Sequence, residues 1–321
     1  MAKKDAITKS YMQDKEAFVG AFNYLLFDGK QAIKPENLEP LDTTSIAILC
    51  DKDGAPIPTQ KFRDVLKYAT IMKDVRASYI VLGIENQTDV DYAMPVRNML
   101  YDSLNYDDQV EQIKKAHRKN GDKSETSGEF LSGFHKTDKL KPVVTITIFF
   151  GSGEWTGPRD LHSMLDADEE VLQTVPNYPL KLIVPAEFRD EDFPKLRSEF
   201  RLVMKCLKYA RDEREFNKML YEDEAFRNVS RKTADVINVL TSSNIQYKEG
   251  EERVDMCEAI EGMKRSAKEE GREEGREEGR LETLKDNAAN MRAKGWSDET
   301  IAEILRVDVA DVRIWLDSNE R

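Results

Sequence analysis

The feature that most limits how this chain can fold is an apolar run at residues 79–84 (YIVLGI) that stops abruptly at Glu85-Asn86-Gln87. The run reads as a buried strand, and an ionised carboxylate at its end is costly to bury unless its charge is matched. Side chains alternate along a strand, so Glu85 and Gln87 share one face and Asn86 takes the other. Upstream, Lys73-Asp74-Val75 reads as the end of a neighbouring strand, with turn chemistry in Arg76-Ala77-Ser78 between the two. Asp74 and Glu85 converging from adjacent strand ends would suit a hard divalent cation with oxygen ligands. In phosphodiester hydrolysis such a cation polarises the phosphoryl oxygen and lowers the pKa of the attacking water. Gln87 then stands where it can orient the water or a phosphate oxygen. Solvated strand ends account for the same residues, because a D-x(n)-E-x-Q spacing recurs by chance.

Around this run the periodicities alternate between strand and helix. Residues 11–28 carry Phe18, Phe22, Leu25 and Leu26 at helical spacing, and Asp28-Gly29 supplies a stop. Residues 44–49 (TSIAIL) have high strand propensity, 51–58 read as a loop, and 62–71 are ambiguous between helix and strand. Pro95 lies near the start of a helix expected over 94–113. Residues 114–140 are expected to form a polar excursion. At its start, Lys114, Lys115, Arg118 and Lys119 make the densest basic island, readable either as a phosphate contact or as a solvated helix end. A second apolar strand, 143–150, ends at Gly151-Ser-Gly153, and a short helix is expected from Trp155. Another strand follows at 180–184, with helices at 193–211, 213–221 and 225–240. The pattern predicts an α/β fold: a mixed sheet flanked by helices, with a helical C-terminal half.

The tail repeats Glu-Glu-Gly-Arg three times between Glu269 and Arg280. On a helix these spacings permit i,i+3 and i,i+4 ion pairs of a few tenths of a kcal/mol, against roughly 0.8–1 kcal/mol lost at each glycine. The stretch is expected to be a marginal solvated helix or a linker. Beyond it, Ser297 is a plausible N-cap, and Ile301, Leu305, Val312 and Trp315 are expected to pack two short helices together. The last of these helices sets Asp311 and Asp317 against Arg313, which favours small helical packing or self-association over reading a DNA groove. The expected divisions are a core over 1–190, a helical extension over 191–250, a charged linker over 251–294 and a helix-turn-helix-like unit over 295–321.

A net charge of −12 argues against coating nucleic acid through charge alone, although a local groove with a bound cation could still meet phosphate. The three cysteines are widely separated and odd in number, so a disulfide framework and a cysteine zinc site are not expected. The histidines at 117, 135 and 162 are scattered, and none is assigned as a ligand. No secretory pattern and no apolar run of about 18 residues is present, so a cytoplasmic protein without a membrane span is expected.

Met72-Lys-Asp-Val75, Gly83-Ile-Glu-Asn-Gln87, Asp91-Tyr-Ala-Met-Pro-Val-Arg97 and Tyr101-Asp102 together resemble the recombination-promoting nuclease and transposase-like family of the PD-(D/E)XK nuclease superfamily. Phe22-Asn-Tyr-Leu-Leu-Phe-Asp-Gly29, Trp155-Thr-Gly-Pro-Arg159 and the Glu/Gly/Arg-rich tail are similar to it as well. The resemblance implies a restriction-endonuclease-like fold and DNA cleavage with magnesium, or manganese in its place. It implies that Asp74 and Glu85 are metal ligands, that Gln87 replaces the superfamily's lysine, and that an acid on the first helix, here Glu16, assists. Because glutamine carries no charge, Lys73 or another cation would have to stabilise the transition state. A relative that binds DNA or protein without cutting is the alternative.

Overall fold

The computed structural model describes residues 2–41, 44–50, 56–62, 64–73, 76–243, 245–247 and 250–317. It divides into two compact units, Met1–Cys257 and Glu258–Arg321. The first unit begins with α1 (Ala2–Met12) and α2 (Lys15–Phe27). The expected helix over 11–28 is α2, which starts later, at Lys15, because Asp14 caps it by accepting the backbone N–H groups of Glu16 and Ala17; Tyr11 and Met12 belong to the end of α1. The stop at Asp28-Gly29 is present, with both residues at positive φ.

Next come β1 (Leu38–Pro40), β2 (Thr44–Cys50), β3 (Pro56–Phe62), β4 (Val65–Lys73) and β5 (Arg76–Gln87). After them α3 (Met94–Asn120), α4 (Ser127–Ser132), β6 (Val143–Phe149), α5 (Glu169–Leu172) and β7 (Lys181–Ile183) complete the sheet region. The apolar run forms the middle of β5, the central strand of a sheet ordered β1-β4-β5-β6-β7. The β1–β4 and β4–β5 pairs are antiparallel, whereas the β5–β6 and β6–β7 pairs are parallel. This is the expected mixed sheet. Strands β2 and β3 form a separate hairpin. Residues 155–161, expected to open a helix, are irregular, and a short 3-10 turn follows at His162–Met164.

The rest of the unit is helical: α6 (Phe200–Tyr209), α7 (Glu213–Glu222) and α8 (Arg231–Thr241), with the short pair β8 (Val229–Ser230) and β9 (Arg253–Val254). Helix α1 packs on β5 and on α8, and α2 packs on α6. The core beneath them includes Phe18, Phe22, Leu82, Ile84, Ile146, Ile148 and Phe200, each fully buried.

The second unit contains most of α9 (Met256–Ala293), then α10 (Asp298–Leu305) and α11 (Val309–Asp317). The Glu-Glu-Gly-Arg repeat lies within α9 and is helical throughout. Ser297 caps α10 by accepting the Thr300 N–H. Ala288, Ile301, Ala302 and Val312 form the unit's buried cluster, with Leu305 and Trp315 against it. Arg313 is committed to Asp298 and Glu299.

One buried cation shows how tightly α1 and α2 close on the sheet. Lys67 of β4 is nearly buried, donates to the Gln13 carbonyl at 2.7 Å, and lies 4.5 Å from the Phe18 ring centroid. Burial pushes its pKa down to about 8. A lysine with a lowered folded pKa favours the native state more as it loses its proton, so its contribution to stability rises as the pH increases from about 8 towards its ordinary value near 10.4. Replacing it removes that slope. Melting temperatures of wild type and Lys67→Met measured between pH 7.5 and 10 (roughly the window of the shift) should therefore differ in slope: wild type gains relative to the variant as the pH rises, and parallel curves would refute the assignment.

Candidate active site

The site is built where β5 and β6 end side by side. Parallel pairing sets Glu85 against Thr147 and Gln87 against Phe149. The Gln87 carbonyl accepts the Phe150 N–H at 2.7 Å, fixing the strand end. Glu85 and Gln87 share the face covered by α3, as alternation requires. A polar layer holds that helix in place. Asn98 donates to Thr147 at 2.9 Å, Thr145 donates to Asp102 at 2.6 Å, and Tyr178 donates to the same carboxylate. Asn98 and Asp102 are four residues apart, so they stack on one side of α3, and the Arg97–Tyr101 pair is displaced from them by one residue.

Glu85 is fully buried, and Arg97 answers its charge: Nη2 lies 3.2 Å from Oε2. Asp91 holds the guanidinium at 3.2 Å, and Arg97 Nε donates to the Tyr101 hydroxyl at 3.3 Å. Burial opposes the charge on Arg97, but Glu85, Tyr101 and Asp91 outweigh it and raise its pKa. Tyr101 is pushed up by burial and by the Glu85 carboxylate, so it stays a neutral phenol.

A second carboxylate, Asp64, is held at Asn86, the neighbour of Glu85 in the chain. Lys73 pairs with Arg76 and Val65 with Ile84, so one further step of the register sets Asp64 across from Glu85. Asp64 Oδ2 accepts the Asn86 N–H at 2.8 Å. Burial raises its pKa, while that hydrogen bond and the charges of Lys9 and Arg97 oppose the rise. Asp5, also on α1, accepts a hydrogen bond from Thr88 at 2.9 Å and raises the Asp64 pKa through its charge. The acid and the cation that α1 contributes beside the strand ends are thus Asp5 and Lys9.

The other described residues singled out from the sequence lie elsewhere. Asp74 is outside the described residues. Its neighbour Lys73 closes the β4–β5 hairpin opposite Arg76, nine residues along β5 from Glu85 and so about 30 Å away at strand rise. Arg76-Ala77-Ser78, expected as a turn, is already strand. Glu16 is exposed in the first turn of α2 and borders a different cleft with Asp14 and Lys232. The basic island forms the end of α3, which runs seven residues beyond the expected stop at 113. There Lys114 pairs with Glu111 at 2.8 Å, and Lys115, Arg118 and Lys119 are exposed. Asp64 was hidden because it precedes a stretch whose periodicity was ambiguous. The centre of the hairpin was the usable signal, since residues equally far from a tight turn face each other.

A family profile matches residues 59–235, more than half of the chain, from β3 into α8. The chain belongs to the family described as Putative transposase, YhgA-like. This YhgA-like family is part of the PD-(D/E)XK nuclease-like group. The matched span contains Asp64, Glu85, Gln87 and Arg97 and leaves out α1, α2 and the second unit. No curated protein and no solved structure shows significant similarity to this YhgA-like chain. Among the described residues, no helix is long and apolar enough to cross a membrane.

The raised Asp64 pKa gives the site a stability signature. A carboxyl with a raised folded pKa stabilises the native state while protonated, and this contribution is lost as the pH rises through the folded value. Asp64→Asn keeps an acceptor for the Asn86 N–H and removes the disfavoured charge. The variant should melt above wild type at neutral pH in chelator, with the gap closing in acid. Equal melting temperatures at neutral pH would refute the assignment.

Proposed function

We propose that the protein is a divalent-cation-dependent DNA endonuclease whose ion-holding carboxylates are Asp64 and Glu85. The observation that carries this reading is that Asp64, just before β4, holds the Asn86 N–H next to Glu85 at the end of a parallel strand pair, beside the cations Arg97 and Lys9. Two carboxylates offering hard oxygen donors suit magnesium, with manganese as an alternative. A bound ion of this kind would polarise a phosphoryl oxygen and generate the attacking hydroxide. Gln87, on the same strand face as Glu85, orients water or a phosphate oxygen. Arg97 supplies the positive charge that glutamine lacks, and Tyr101 and Asp91 hold it in place. Lys115, Arg118 and Lys119 track the DNA backbone at the far end of α3, about 30 Å from Arg97 at helix rise. Family membership supports a transposition- or recombination-related role.

Plasmid nicking with magnesium tests this reading. Asp64→Asn and Glu85→Gln should each lower the rate by at least about 100-fold, the scale of losing a key electrostatic group. Asp74→Ala should retain most activity. Full activity in Glu85→Gln would end the assignment, and loss in Asp74→Ala would return the second ligand to that residue.

A second reading, a nuclease-fold module that binds DNA or protein without cutting, is favoured by the Arg97–Glu85 pair, which already neutralises the carboxylate. Magnesium calorimetry separates the two: binding lost in Glu85→Gln supports the enzyme, and no heat from wild type supports the module. For self-association we propose the second unit, where Ile304 and Ile314 are exposed. Ile314→Lys should lower the sedimentation coefficient if they form the contact.

A further inference from the structure

The two histidines nearest each other in sequence, His117 and His135, meet in space together with Asp138. Each can offer one ligand atom, and these atoms all lie within 4.8 Å of one another. His117 is in the last turn of α3, whereas His135 and Asp138 lie in the polar excursion before β6. The rings stack with centroids 3.8 Å apart. Asp138 is held by the His135 N–H at 2.6 Å.

The hydrogen bonds of His117 give the cluster its direction. Nδ1 lies 2.8 Å from an Asp122 oxygen, and Nε2 lies 2.9 Å from Asp138 Oδ2. With Nδ1–H donated to Asp122, a neutral ring aims its Nε2 lone pair at a carboxylate, which is also an acceptor. That arrangement needs a cation between them, either a proton or a metal. Hydrogen bonds to Asp122 and Asp138 raise the His117 pKa, which is the proton solution. A carboxylate behind one imidazole nitrogen, with the other nitrogen free to ligate, is also how metal-binding histidines are oriented. Two imidazoles and one carboxylate are the donors of an open zinc site. Tetrahedral zinc needs ligand atoms about 3.3 Å apart, given bonds near 2.0 Å, so small rotations of these partly exposed side chains suffice.

The surrounding chain has a use for such a clip. None of residues 121–141 is buried, and Phe130 and Leu131 are largely exposed. Apolar packing therefore does little to hold the excursion, and polar contacts with the end of α3 must do so. We propose that His117, His135 and Asp138 bind one zinc ion, with water in the fourth position, pinning residues 121–141 to the end of α3. The donors differ in kind from the all-oxygen pair Asp64 and Glu85. They also lie twenty residues along α3 from Arg97, about 30 Å, so the two ions are independent.

Calorimetric titration of the full-length, tag-free protein with zinc chloride, in buffer containing magnesium, tests the proposal. One zinc should bind per chain. Asp122→Asn should weaken it by about 10–100-fold, and His135→Gln and Asp138→Asn should weaken it more. Glu85→Gln should leave zinc affinity unchanged. Zinc should also slow tryptic cleavage at Lys123, Lys136 and Lys139 in wild type but not in His135→Gln. The substitutions fall where no residue is buried, and matching circular dichroism spectra verify the fold. Wild type taking up no zinc, or His135→Gln binding it as wild type does, would overturn the proposal.

Discussion

Everything around the site depends on one buried charge. Glu85 sits at the end of a central strand with no exposure to water, and its carboxylate is tolerable there because Arg97 meets it. That requirement propagates outward. Arg97 must be held by Asp91 and Tyr101, α3 must lie at a fixed rotation over β6, and the Asn98–Thr147 and Asp102–Thr145 bonds set that rotation. The apolar face of the sheet, sealed by α1 and α2, provides stability. The polar face positions the charges.

The paired charges also constrain the chemistry. A carboxylate neutralised by an arginine can take a metal ion only if the guanidinium yields part of its contact. Arg97 is more than one-third exposed and carries a second carboxylate, Asp91, onto which it can shift. Under the proposed function it would swing towards a phosphate while keeping Asp91 as its partner.

Much of this was legible in the sequence. The strands β2, β5 and β6 and the two terminal helices could be read because their apolar residues recur with clean spacing, and the mixed sheet followed from their order. Glu85 and Gln87 stood out because polar residues end an apolar run. Helix α1 was not visible, since it offers few apolar residues beyond Ile7, Tyr11 and Met12. Asp64 did not stand out because the buried face of β4 carries the charged Lys67 while its half-buried face carries Tyr68, which blurs the apolar alternation that marks a strand. The meeting of His117 and His135 depends on how the polar excursion folds back on α3, and no periodicity encodes that return.

The parallel pairing of β5 with β6 bears on the order in which the molecule assembles. The β4–β5 hairpin is local and can close early, bringing Asp64 and Glu85 together as soon as both strands exist. The β5–β6 ladder must wait for residues 88–142 to be made and folded back, and non-local parallel pairing of this kind is slow. A chain still emerging from the ribosome would thus carry the two carboxylates without the helix that supplies Arg97. Under the proposed function, competence to act on a phosphodiester would wait for that ladder, because α3 and its Arg97 are seated over the carboxylates through Thr147 of β6.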